Sequence, residues 1–197
     1  MTSTDGHRRV LSARAARAAR AARAALAGIA VLAVLLLAGG AGRPTVVQHG
    51  PEDPESARAV AELTGPDRAA ARLPAAFLAR SGQRAALVDG RLLDPAGSCS
   101  SPVPLPRAFD DACRAHDLGY DLLRHAAARG GTLGPWARAA LDRRLARDLV
   151  AACDARTHPA PCRVLAGVAD LAVAANSWRQ GWSVPVVEHG PFVREAA

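Results

Sequence analysis

FDDACRAHDLGYDLLRHAAARG, residues 109–130, falls in what reads as one helix from about Arg107 to Arg129 that stops at Gly130-Gly131. On that helix Cys113, His116, Asp117 and Tyr120 stand at i, i+3, i+4 and i+7, so all four share one side. That side faces inward. Cys113 needs a partner, Tyr120 is the chain's only tyrosine, and the opposite side carries Asp110, Arg114, Asp121 and Arg124 or Arg129. A desolvated His or Asp is costly unless it is paired. The pair is therefore either a working site or a structural feature with partners elsewhere in the chain.

Two more helices follow this one. The first runs from Pro135 to Cys153, with Leu141, Leu145 and Leu149 repeating every four residues. The other runs from about Pro161 to Arg179 and shows Leu165, Val168, Leu171, Ala172, Ala175 and Trp178 on one face. Upstream, helices are expected over Glu55 to Leu63 and Asp67 to Arg80, the second with Leu73, Phe77 and Arg80 on one face and Gly82 beyond its end. Asp89-Gly90 between two short apolar runs signals a hairpin. Residues 96–106, with three alternating prolines, are a loop.

Abundant Ala and few aromatics favour helices over a strand-rich sandwich. The predicted fold class is mainly α. We expect a small disulfide-stapled helical domain with two antiparallel core helices, preceded by an N-terminal transmembrane or signal segment. The expected organisation is a basic leader over 1–23, an apolar segment over 24–42, a proline-rich linker over 43–54, a helical subregion with a short hairpin over 55–93, the main domain over 94–181 and an irregular tail over 182–197.

The net charge is +7, but residues 1–43 hold seven Arg and one Asp, leaving 18 Arg against 17 acids in the rest. No phosphate-tracking basic face follows for the folded part, and no nucleic-acid partner is expected. Every one of the 25 basic residues is Arg, which excludes Schiff-base chemistry on lysine. The nineteen uncharged residues from Ala24 to Gly42 just reach across a bilayer, and the arginines before them place the N-terminus in the cytoplasm. The remainder is expected outside, either anchored by this segment or secreted after cleavage. Cys99, Cys113, Cys153 and Cys162 all lie beyond the segment, and an even number in an oxidising setting reads as two disulfides.

The string C-R-A-H-D-L-G-Y, residues 113–120, resembles the C-x-x-H-D-x-G-Y signature of bacterial secreted phospholipases A2. A C-S-rich loop stands before it and a second Cys-bearing helix after it, and the likeness covers about residues 94–178. It implies the pairings Cys99 to Cys113 and Cys153 to Cys162. It also implies calcium-dependent hydrolysis of the sn-2 acyl ester of glycerophospholipids by a monomer at a phospholipid membrane surface.

In that chemistry a neutral imidazole takes a proton from water and the water attacks the ester directly, with no acyl-enzyme. His116 would be this base. The following helix offers Asp142 and Asp148 as the carboxylate that orients it, and the family position matches Asp142. By the same resemblance Asp117 would bind Ca2+, joined by oxygens of Gly97 and Ser98 in the loop before the first cysteine. Bacterial members carry an Asp where this chain has Gly97, and Asp94 lies nearby. Tyr120 would hydrogen-bond near the catalytic Asp, and Gly119 would admit a close backbone approach. A second class of function also suits this chain: a non-catalytic lipid-binding or interaction domain of the same fold, with a weakened calcium site.

Overall fold

The computed structural model describes residues 50–81, 85–101, 103–157 and 159–186. The leader 1–23, the apolar segment 24–42, the first part of the linker, Gly82 and the end of the tail lie outside them. Among the described residues no helix is long and apolar enough to cross a membrane.

The fold is mainly helical and carries two disulfides. Its elements are α1 (Pro54–Thr64), α2 (Ala75–Ser81), β1 (Ala86–Val88), β2 (Arg91–Leu93), α3 (Asp110–Ala128), α4 (Gly134–Asp154) and α5 (Pro159–Arg179). Short 3-10 turns at Arg68–Ala70 and Arg107–Phe109 precede α2 and α3. α1 starts where Asp53 accepts a hydrogen bond from the Ser56 amide at 2.9 Å, with Pro54 in the first turn, and it buries Ala59, Val60 and Leu63. β1 and β2 form an antiparallel hairpin, and both turn residues, Asp89 and Gly90, have positive φ, as a two-residue turn of this hand requires.

α3 ends as its sequence dictates. The Gly130 amide donates to Ala127 O at 2.9 Å and the Gly131 amide to Ala126 O at 3.0 Å, which closes the last turn and reverses the chain into α4. Contacts then pair Tyr120 with Arg138 and His116 with Asp142, so α3 and α4 run antiparallel. Their apolar residues form two clusters. One gathers Leu118, Leu122, Ala126, Ala137 and Leu141 with α1 and Phe77, and the other gathers Phe109, Ala112, Leu145, Leu149 and the Cys153–Cys162 bridge. His116 and Asp142 sit at the seam between the clusters.

Gly119 is what lets the two helices meet there. A Cβ at this position would lie 2.9 Å from Leu141 Cδ1 and 3.1 Å from its Cγ, and would collide with Cδ2.

Two expectations need correction. The helix over 67–80 is broken into the 3-10 turn and α2, because the residue before Pro74 is steered away from helical angles and the proline has no amide to continue the ladder. The large apolar face expected on α5 points outward. Leu165, Leu171 and Trp178 are 37%, 57% and 63% exposed, whereas Cys162, Ala166 and Ser177 are buried. The Cys153 bridge fixes the rotation of α5 at its start, and small residues let the helix lie close to α4.

Candidate active site at the α3–α4 seam

His116 and Asp142 meet across the seam, with His116 Nε2 2.8 Å from Asp142 Oδ1 and side chains only 9% and 7% exposed. An ionised carboxylate only accepts, so Nε2 carries the proton and donates. This tautomer leaves Nδ1 as the lone-pair nitrogen, and Nδ1 makes no hydrogen bond among the described residues.

Asp142 receives two more donors, the Tyr120 hydroxyl at 2.7 Å and the Ser177 hydroxyl at 2.6 Å. Behind these hydroxyls lies Arg138, 1% exposed, whose Nε donates to Ser177 Oγ at 2.8 Å and to Tyr120 Oη at 3.2 Å. Its Nη1 donates to Gln180 Oε1 at 2.8 Å and to Ser183 O at 2.9 Å. A buried anion and a buried cation thus balance each other through two hydroxyls. Burial alone would raise the Asp142 pKa, but the hydrogen bond and charge of His116, with Ser177 and Tyr120, outweigh it and hold the carboxyl below its ordinary 3.8. Burial and then the Asp142 charge push the Tyr120 phenol up to about 12, so it remains a donor.

Asp148, the other carboxylate that the sequence offers to His116, is engaged elsewhere. Arg68 Nη1 reaches it at 2.9 Å and Arg144 Nη2 at 3.0 Å.

On the neighbouring stripe of α3, the Cys99–Cys113 bridge ties the 94–99 loop down over Asp117. The Ser98 amide donates to Asp117 Oδ2 at 2.8 Å. Gly97 O accepts from Arg114 Nε at 3.3 Å, and a Cβ at Gly97 would stand 2.9 Å from Asp117 Oδ2 and 3.2 Å from Arg114 Cα. Nearby Asp94 is buried, and its Oδ1 accepts from the Ala96 amide at 2.9 Å. Desolvation raises the Asp117 pKa, helped by the charges of Asp121 and Asp94, against the Ser98 amide and His116.

Asp117, Gly97 and Ser98 are therefore brought together, yet they do not fit Ca2+ in this arrangement. A hard cation takes oxygen lone pairs. Here Ser98 offers Asp117 an N–H, and the Gly97 carbonyl is turned to a guanidinium.

Arg138, Ser177 and Gln180 escaped the sequence reading. A signal for two of them exists. Arg138 lies one helical turn before Asp142 on the same side of α4, and Ser177 is the one hydroxyl residue in α5. All four cysteines are placed as the resemblance implies. The chain matches no family model, and no curated protein or solved structure is similar to it.

What the seam can do follows from its parts. It holds an imidazole with one nitrogen fixed by a buried carboxylate and the other free to accept a proton, in a setting that keeps the carboxylate ionised. That is the arrangement of a general base for water.

Proposed function

We propose that the protein is an exported, phospholipase A2-like hydrolase, membrane-anchored or secreted, that cleaves the sn-2 acyl ester of glycerophospholipids as a monomer at a membrane surface. The observation that carries this reading is the 2.8 Å contact between His116 Nε2 and Asp142 Oδ1, in a helix bearing C-x-x-H-D-x-G-Y with its cysteine bridged to the loop over Asp117.

His116 Nδ1 takes a proton from water, and the water oxygen adds to the ester carbonyl. Asp142 stabilises the imidazolium so formed. The tetrahedral intermediate then collapses, the C–O bond to glycerol breaks, and the leaving alkoxide recovers the proton from Nδ1. The products are a fatty acid and a lysophospholipid, with no covalent enzyme intermediate. A base so placed contributes about 10²- to 10⁴-fold.

The calcium dependence implied by the resemblance requires the Gly97-Ser98 segment to turn a carbonyl, instead of the Ser98 amide, toward Asp117. A non-catalytic lipid-binding domain is the second reading, and the Ser98 N–H on Asp117 favours it.

The test is fatty-acid release from phosphatidylglycerol vesicles with an sn-2 label, in calcium and in chelator. The wild-type protein should release label at least about 100-fold faster than His116→Gln. Equal release from the two proteins in both buffers rejects the hydrolase. Calorimetry with Ca2+ alone separates the readings further, since a non-catalytic domain should show no heat of binding in the millimolar range.

A further inference from the structure

A small cleft opens beside His116, and half of its polar wall, Arg68 and Arg91, comes from a part of the chain that the phospholipase resemblance does not cover. Arg68 in the 3-10 turn before α2 and Arg91 at the start of β2 face Arg144 and Asp148 of α4 across it, with His116 at one edge. Asp148 answers two of these cations, taking Arg68 Nη1 at 2.9 Å and Arg144 Nε at 3.1 Å. Among the described residues nothing answers Arg91. Its Nε is buried without a hydrogen-bond partner, and its guanidinium makes no ion pair among the described residues. Three guanidiniums against one carboxylate leave the wall positive by two charges.

A buried N–H without an acceptor is unfavourable, and such donors persist where a ligand supplies the missing oxygen. Guanidinium forks match the oxygens of phosphate esters better than any other side chain does. We propose that this cleft is an anion site for a phosphate group, with Arg91 as its principal donor, and that it selects glycerophospholipids of net negative headgroup, such as phosphatidylglycerol. The choice of lipid rests on the hydrolase reading, whereas the anion site does not.

The free volume of about 20 Å3 is the room of about one water, so one phosphate oxygen enters while the rest of the group stays at the opening. A choline or ethanolamine ammonium brought to the same opening meets the excess positive charge and is repelled. Residues 55–93 thereby supply half of the headgroup wall through Arg68 and Arg91.

The test uses the whole chain and three probes: inorganic phosphate, dihexanoyl phosphatidylglycerol and dihexanoyl phosphatidylcholine, each titrated by calorimetry. The wild-type protein should bind the glycerol lipid about tenfold or more tighter than the choline lipid, and Arg91→Gln should bring the two within about twofold. Arg163→Gln removes the same charge from an exposed ion pair outside the cleft and should leave the preference intact. Arg91→Lys keeps the charge and should retain part of the preference.

Binding of inorganic phosphate that is lost in Arg91→Gln, with no preference between the lipids, supports the anion site but assigns it to free phosphate. Binding of all three probes that ignores Arg91 overturns the proposal, as does a folded wild-type protein that binds none of them. Should Arg91→Gln not fold, equal affinity of the wild-type protein for both lipids, with no phosphate binding, overturns it as well. Hydrolysis of the two lipids is measured alongside. A protein that binds through Arg91 but releases no fatty acid rejects the hydrolase and keeps the site.

Discussion

Asp142 and Asp117 are both largely buried carboxylates beside one histidine, and their acidities move in opposite directions. Asp142 is held by His116, Tyr120 and Ser177, and its pKa falls despite burial. Asp117 has a single backbone donor, the Ser98 amide, and two acidic neighbours, and its pKa rises. Desolvation is the first influence on both, so the number of donors decides the sign. The Asp142 side is a completed network that keeps its charge, and the Asp117 side is a carboxylate that would give its charge up more readily. Catalytic orientation belongs to the first environment, and the readier uptake of a proton belongs to the second.

The largest effect should come from breaking the first environment. Asp142→Asn keeps the size but sets an NH2 against at least one of the three donors, which reach two different oxygens, and removes the charge that stabilises imidazolium. Hydrolysis of labelled phospholipid should fall by about 10²- to 10⁴-fold. Chemical denaturation should also show a loss of about 3 kcal/mol, because Arg138 stays buried with its counter-charge gone. Unchanged turnover in Asp142→Asn would place the base elsewhere and reduce the seam to a structural network.

A middle effect concerns the spacing that brings Asp142 to His116 at all. Gly119→Ala gains about 1 kcal/mol in helix propensity but drives a methyl into Leu141, and overpacking costs about 1–3 kcal/mol. A net loss of about 1 kcal/mol is expected. Leu141→Ala alone should cost about 2–5 kcal/mol, yet adding it to Gly119→Ala should cost less, since the new methyl then has room. Strict additivity of the two changes would mean that Gly119 does not set the helix distance.

Much of this was legible in the residues. The i, i+3, i+4, i+7 spacing in 113–120 placed Cys113, His116 and Tyr120 on one stripe, and the Asp89-Gly90 pair specified its own turn. The break at Pro74 was also in view, but Leu73, Phe77 and Arg80 keep helical spacing across it and conceal it. The rotation of α5 was not legible. Hydropathy assigns Leu171 and Trp178 to the core, whereas close approach to α4 selects the small face with Ser177, and that choice depends on a neighbour that no local pattern encodes. Arg138 was hidden for a related reason. A lone arginine reads as solvated, and the Tyr120 and Ser177 hydroxyls from two other helices, with Gln180 Oε1 and Ser183 O, make its burial tolerable.

The smallest effect separates the two carboxylates by pH. Asp142 has a lowered folded pKa, so its contribution to stability is fully present above the ordinary 3.8 and is lost as pH falls through the folded value. Asp117 has a raised folded pKa, so the folded chain binds a proton before the unfolded chain does. Stability therefore rises as pH falls from the raised folded value toward 3.8, and the penalty of keeping Asp117 ionised is felt in full above that window. Asp117→Asn removes this penalty while an amide oxygen can still accept from the Ser98 amide. Thermal melts from pH 3.5 to pH 7 should then show a gain of under about 1 kcal/mol at neutral pH and a flatter profile just above pH 4, with the acid limb below it unchanged. In Asp142→Asn it is the acid limb that should flatten. If Asp117→Asn instead lowers stability at neutral pH, the Ser98 amide needs a full carboxylate. The loop would then be held by that charge more than by the Cys99–Cys113 bridge, and a cation at Asp117 would have to displace an amide the fold depends on.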